Sequence, residues 1–270
     1  MKPSFVILGA RGSMPVSGGK FTKYGGRTTS FCLKTEEGML IIDAGTGIEL
    51  VAETADEKLR PAAVLFTHFH LDHVMALPFL KRLSRRQSSL QLIADSSGGK
   101  NWRAALANLF APPYWPAPLA EMGARLEFSD LPAGKNAFDL HGVQVAWCPL
   151  AHPQNCLAFR FKTGKKSVAI VTDHESGSPD IDGALLRLCR GVDYLIYDAQ
   201  WTPEELAKRR GWGHSSWKDG ADFARRAGAG ELILTHHDYK RSDDEIDAIV
   251  QEARRCFPET KAARENMPVF

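Results

Sequence analysis

The sequence predicts an α/β chain of the α+β kind, in which two β-sheets pack face to face with helices outside. Short runs rich in β-branched and aliphatic residues occur in both halves of the chain, and helical patterns sit at the margin of each half. In the first half the runs are residues 4–8, 30–34, 39–42, 62–66 and 90–94, with a helix expected at about 72–86. Each run is bounded by Gly, Pro, Asp or Ser. After Arg125 the pattern restarts, with strands expected at 143–147, 157–161, 167–171 and 194–197 and helices at about 217–227 and 243–256. The last helix opens on the capping box Ser242-Asp243-Asp244-Glu245 and carries Ile246, Ile249, Val250 and Ala253 on one face. Pro258 closes it. Residues 101–118 stand apart, because Phe110-Ala111-Pro112-Pro113-Tyr114-Trp115-Pro116 holds prolines that exclude regular structure. Its aromatics suit either a packed surface loop or a lid over a site.

The 270 residues suit one domain, 1–270, with a large core, since 44% are hydrophobic and 24% charged. A net charge of +2 gives no case for a general nucleic-acid or membrane binder. The five cysteines form no CxxC and read as reduced thiols. The first apolar run, 5–8, is too short for a signal peptide, and no apolar stretch has transmembrane length. A cytoplasmic enzyme is the expectation.

The chemistry is concentrated after the strand at 62–66. His68, His70, Asp72 and His73 fall within six residues of one turn. Imidazole and carboxylate are ligands for zinc, manganese or iron, and such a cluster buries poorly without a metal. His68 and His70 can grip one ion while Asp72 and His73 face another. Three more ligand types stand where an apolar strand stops: His152, Asp173 and His236. All of them can converge on one edge of the sandwich.

His-x-His-x-Asp-His followed by His, Asp and His resembles the metallo-β-lactamase superfamily over most of the chain. The resemblance implies an αββα sandwich with a dinuclear site for two divalent ions, zinc by default and manganese or iron as alternatives. His68, His70 and His152 would hold one ion, Asp72, His73 and His236 the other, and Asp173 would bridge them. Zinc β-lactamases commonly carry cysteine at the Asp173 position, and flavodiiron proteins replace the second histidine of the turn by glutamate. Neither pattern matches. Glyoxalase-type thioesterases share all seven ligands and are the rival class, whereas the intact ligand set argues against a sensing or scaffolding protein.

Gly211-Trp212-Gly213-His214-Ser215-Ser216-Trp217 looks like the GHS segment of ribonuclease Z and the cyclic phosphate phosphodiesterases, where the histidine faces the scissile phosphate. His214 precedes a probable helix start with Ser216 and Asp219 as a cap pair, a place that favours anions. Gly9-Ala10-Arg11-Gly12-Ser13-Met14-Pro15 and Tyr24-Gly25-Gly26-Arg27-Thr28-Thr29 resemble the N-terminal pattern of the same branch, with Arg27 where asparagine is usual. Arg11, Lys20, Lys23 and Arg27 read as a solvated basic loop that biases the mouth toward anions. The tRNA-gripping arm of ribonuclease Z has no room between His152 and Asp173, so the expected partner is a small phosphate ester, without tRNA or membrane. A homodimer is compatible with this. Lys81-Arg82, Arg85-Arg86 and Lys208-Arg209-Arg210 read as exposed helix faces. The expected activity is hydrolysis of a small phosphodiester, such as a cyclic nucleotide or cyclic sugar phosphate. Asp72 or Asp173 would orient the nucleophile and His214 would assist the leaving group. Asp43 is expected beside a ligand histidine, Asp198 in a similar part, and His237 is left without a role.

Overall fold

A computed structural model describes residues 2–52, 60–97 and 101–270. With strands numbered along the chain, one seven-stranded sheet runs, in spatial order, β14 (Met267–Pro268), β1 (Ser4–Gly9), β2 (Ser30–Lys34), β3 (Met39–Ile42), β4 (Ala62–Leu65), β5 (Ser89–Ala94) and β6 (Arg125–Asp130). The other runs β13 (Thr260–Ala262), β12 (Glu231–Thr235), β11 (Tyr194–Asp198), β10 (Lys166–Val171), β9 (Cys156–Thr163), β8 (Val143–Leu150) and β7 (Ala137–Leu140). The helices are α1 (Leu71–Val74), α2 (Trp102–Leu109), α3 (Pro179–Cys189), α4 (Pro203–Ala207), α5 (Trp217–Ala227) and α6 (Asp243–Cys256).

The side-chain period of two explains the layering. On β3, Leu40 and Ile42 enter the core between the sheets, with Phe5, Phe31, Phe159, Phe161 and Ile170. Met39 and Ile41 face the other way, into a cluster closed by Val74, Leu77, Trp102 and Leu106. The second sheet repeats this, sending Ile233 inward and Leu232 and Leu234 outward against Ala221, Ala224 and Ala253 of α5 and α6. Because β3, β4, β10, β11 and β12 are covered on both faces, they are nearly continuous apolar runs.

The pairings also set where polar residues gather. Strands β3 to β6 are mutually parallel, as are β10 to β13, and β1 and β8 keep those directions through two antiparallel steps each. The loops after β1, β3, β4, β8, β10, β11 and β12 therefore leave carboxyl ends that point one way, the edge where α/β sheets place ligands.

Several expectations need correction. The helix at 72–86 is not continuous: α1 is followed by two 3-10 turns, Leu77–Phe79 and Lys81–Ser84. Pro78 lacks the N–H that an α-helix needs there. Regular structure does exist within 101–118, since α2 runs until just before the first proline and is capped by the Asn101 side chain. Beyond it Trp115 packs edge-on against Phe79 and Phe110, so this stretch is a packed loop. The sheets do not divide at Arg125 either, because β6 completes the first sheet and β14 returns to pair with β1. Among the described residues no helix is long and apolar enough to cross a membrane.

Candidate metal centre

The turn after β4 carries His68 and His70 and continues into α1 with Asp72 and His73. From the second sheet come His152 after β8, Asp173 after β10 and His236 after β12. The seven residues named from the sequence fall into two groups. His68, His70, His152 and Asp173 bring one potential ligand atom each to within 4.8 Å of one another, as do Asp72, His73 and His236. Asp173 lies between the groups. Its Oδ1 is 3.8 Å from His68 Nε2 and 3.7 Å from His152 Nε2, whereas its Oδ2 is 3.2 Å from His73 Nε2 and 3.4 Å from His236 Nε2.

The outer nitrogens of four of the five candidate histidines are anchored. His73 Nδ1 donates to Asp43 Oδ2 at 2.8 Å, His152 Nδ1 to the Gly213 carbonyl at 2.8 Å, and His236 Nδ1 to Gln200 Oε1 at 3.2 Å. His68 Nδ1 lies 3.1 Å from Thr67 Oγ1, whose hydroxyl donates to Asp43 Oδ2. In the neutral rings these tautomers leave the inward nitrogens as lone pairs. Yet His73 Nε2 and His236 Nε2 face each other at 3.4 Å, and His152 Nε2 and His70 Nδ1 at 3.1 Å. His68 Nε2 is buried with no hydrogen-bond partner among the described residues. Lone pairs aimed at lone pairs require a cation between them, so the donor set fits divalent metal ions.

The electrostatics agree. Burial opposes the charged form of His73, but Asp173, Asp72 and Asp43 outweigh it and hold its pKa well above the usual range. Burial likewise opposes charge on His236, which Asp173 and Asp72 push up to about 9. Asp173, despite burial, is held well below the usual carboxylate range by His236, His73 and His68. The carboxylates demand positive charge, and protons and metal ions compete to supply it.

His214 stands beside this cluster. Its Nδ1 donates to Asp198 Oδ2 at 2.8 Å and is 3.9 Å from Asp173 Oδ1, so the ring is committed to Asp198. Asp198 thus partners His214 and none of the seven ligand candidates. It is fully buried and also accepts from the backbone N–H groups of His174 and Gln200. Among the described residues none hydrogen-bonds His214 Nε2, and the residue lines a cavity.

The remaining polar residues have structural parts. His237 Nε2 donates to the Ala263 carbonyl, and burial, with the Arg11 charge next, lowers its pKa to about 3. Of the basic loop Arg11, Lys20, Lys23 and Arg27, the two lysines are exposed as expected, whereas Arg11 is buried and Arg27 half-buried. Arg11 is 1% exposed and donates to the carbonyls of Gly25, Asp238 and Arg241. Lys23 pairs with Asp247, and Arg27 with Glu49 and Glu265. Arg82 and Arg209 also depart from exposed helix faces: Arg82 is buried, and the Arg209 guanidinium lies 4.4 Å above the Trp201 ring.

Sequence reasoning missed three contributors. Gln200 orients His236, and nothing in its local pattern signals that. Ser13 donates its backbone N–H to Asp72 Oδ2 at 2.8 Å. Gly12 packs so closely that a Cβ there would lie 2.4 Å from His236 Nδ1. The Gly-Ser pair within the N-terminal motif was the available signal for the last two.

Residues 39–237 match the model of the β-lactamase superfamily domain, and the chain belongs to that family. With its two mixed sheets flanked by helices and its His/Asp cluster, it is a metallo-β-lactamase-fold hydrolase with a divalent-metal site. Ribonuclease BN of Escherichia coli O1:K1 is 26% identical, the alignment covering 86% of this chain and 88% of the relative. The metallo-β-lactamase-fold protein YhfI from Bacillus subtilis superposes with a TM-score of 0.75 at 16% identity, covering 100% of both chains. The short form of human tRNase Z gives 0.71 at 18% identity over 99% of this chain and 98% of its own. A diphosphatase from the PhnP family gives 0.69 at 20% identity over 100% and 98%.

Proposed function

We propose that the chain is a dinuclear, zinc-dependent phosphodiesterase acting on a small phosphodiester such as a cyclic nucleotide or cyclic sugar phosphate. The observation that carries this is the His214–Asp198 pair, a positioned proton donor set against the metal cluster. His68, His70 and His152 would hold one ion and Asp72, His73 and His236 the other, with Asp173 between them. When bound, such ions supply Lewis acidity toward a phosphoryl oxygen and acidify water at the site.

The chain's own residues do the rest. Asp198 accepts the Nδ1 proton of His214 and fixes the ring, and beside that carboxylate the doubly protonated ring carries on Nε2 the proton for the leaving alkoxide. Asp72 Oδ2 accepts from the Ser13 backbone N–H and lies beside the Nε2 atoms of His73 and His236, with which it would hold an ion, and this leaves Oδ1 to accept a hydrogen bond from the attacking water. Thioester hydrolysis, which transfers the acyl group from sulfur to water, needs no comparable proton donor, because a thiolate leaves readily, and this favours a phosphodiester over a thioester. A small substrate is favoured because only the hairpin of β9 and β10 separates His152 from Asp173. The names of ribonuclease BN and tRNase Z support phosphodiester chemistry, and that of the PhnP-family diphosphatase supports phosphate chemistry on a relative of this fold.

His214→Ala tests the reading. Metal content is expected to stay near normal while turnover falls roughly 10²–10⁴-fold. The loss should shrink on bis(p-nitrophenyl) phosphate, whose leaving group needs little protonation, relative to an alkyl diester. Equal loss on every substrate, or turnover of thioesters alone, would overturn the proposal.

A further inference from the structure

The loops that meet behind His152 are tied together by one side chain. Glu175 stands two residues beyond Asp173, in the loop after β10, and its side chain is 17% exposed. Its carboxylate accepts from the backbone of the segment Gly211-Trp212-Gly213. The Gly211 N–H lies 2.8 Å from Oε2 and 3.0 Å from Oε1, and the Gly213 N–H lies 2.9 Å from Oε2. Both glycines hold positive φ, 86° and 84°, and both N–H groups converge on Oε2. Converging backbone N–H groups make an anion-binding concavity, and here the chain fills it with its own carboxylate. Bonds to an ionised acceptor are roughly twice as strong as neutral ones. Arg210 completes the tie, its guanidinium 3.8 Å from Glu175 Oε1 and donating to the Ser176 carbonyl at 3.0 Å.

The consequence falls on His152. The Gly213 carbonyl is the acceptor that holds His152 Nδ1. Glycine is the most freely rotating residue, so a carbonyl on Gly213 is a steady acceptor only if its backbone is held from outside. Glu175 holds it: the carboxylate fixes the peptide on the N–H side of Gly213, and the peptide on the other side carries the carbonyl. The backbone of Glu175 acts on His152 from a second direction. Its N–H donates at 2.8 Å to the carbonyl of Ala151, the residue before His152. One residue therefore secures both the main chain beside His152 and the acceptor of its ring.

We propose that Glu175 is a positioning residue of the metal centre, which through Gly213 aims the His152 ring at the ion shared with His68 and His70. The inference rests on the two-ion assignment above, in which those three histidines hold one ion.

The test is chelator competition on the full-length, zinc-loaded protein, read as the affinity of each ion. Glu175→Ala is expected to weaken one ion roughly 10–100-fold, the scale of losing a partner that orients a ligand, and to leave the other unchanged. Glu175→Gln, which keeps one oxygen for both N–H groups, should retain most of the affinity. Glu175→Asp, one methylene short of them, should behave as Glu175→Ala does, and it keeps the test open should the alanine variant fail to fold. The deciding measurement is a double variant. If Glu175 acts through His152, Glu175→Ala should weaken zinc no further in a His152→Ala background, where there is no ring to aim. The same fractional weakening in both backgrounds is what a merely structural part predicts, and it would overturn the proposal, as would weakening of both ions alike. Zinc weakened in His152→Ala and unaltered in Glu175→Ala sinks the positioning role alone. Zinc unaltered in His152→Ala sinks the two-ion assignment and the role of Glu175 with it.

Discussion

Three buried, non-glycine residues at strand ends hold left-handed backbone: Asp43 with φ 58°, Asp173 with φ 56° and His236 with φ 59°. Each such residue costs on the order of 1–3 kcal/mol and persists only where its surroundings over-determine it. Here the kink turns a side chain over the sheet edge as the strand stops, and all three serve the same cluster. Glycine does the complementary work at Gly213, whose φ is 84° and where a Cβ would lie 2.3 Å from His152 Nδ1. Gly213→Ala should displace His152, removing one acceptor-anchored ligand from its group. Elemental analysis is expected to find close to one ion per chain in this variant against two in the parent, and an unchanged stoichiometry would show that the loop yields instead. Asp43→Asn is a milder test. Asp43 receives His73 directly and His68 through Thr67, so weakening it should lower metal affinity roughly 10–100-fold, read by chelator competition.

At the scale of elements, the segment that carries His214 is fixed by the start of α5. Ser216 caps that helix in a reciprocal box with Asp219, as Ser242 caps α6 with Glu245. Ser216→Ala and Ser242→Ala should each cost about 0.5–2 kcal/mol in denaturant unfolding. Only the first should also lower turnover, because Ser216 is two residues from His214, whereas α6 carries none of the seven ligand candidates and reaches the His214 cavity only through Glu245. Equal activity in both would separate His214 from its helix. Both boxes were legible in the sequence because they are local: a hydroxyl, three residues and a carboxylate suffice. So were β2, β3, α5 and α6, whose periods and boundaries are set by adjacent residues. The histidine turn was legible for the same reason. The strand β6 was not, because its alternating residues are half-exposed at a sheet edge and carry little apolar signal. The partners Gln200 and Gly213 were not, because what makes them matter is a residue 36 or 61 positions away in the chain.

At the scale of the molecule, the cluster joins the two sheets. His68, His70, Asp72 and His73 come from the first, and His152, Asp173 and His236 from the second. The ligand set spans positions 68 to 236, so it exists only when both sheets are formed and facing each other. Ions bound there stabilise the folded chain and not the unfolded one, by about 4 kcal/mol at a free concentration a thousandfold above Kd. The apolar core between the sheets is continuous without them, running from Phe5 and Phe31 to Phe159 and Ile233. Chelation is therefore expected to leave the fold intact and lower Tm by several degrees, with zinc restoring it. Asp173→Ala removes the one carboxylate shared by both groups, and its Tm should respond little to either chelator or zinc. Far-ultraviolet circular dichroism and a thermal scan at fixed protein concentration check both statements. A chelated protein that loses its secondary structure would show that the ions hold up the core itself. A Tm that ignores the chelator in the parent would show that no ion bridges the sheets.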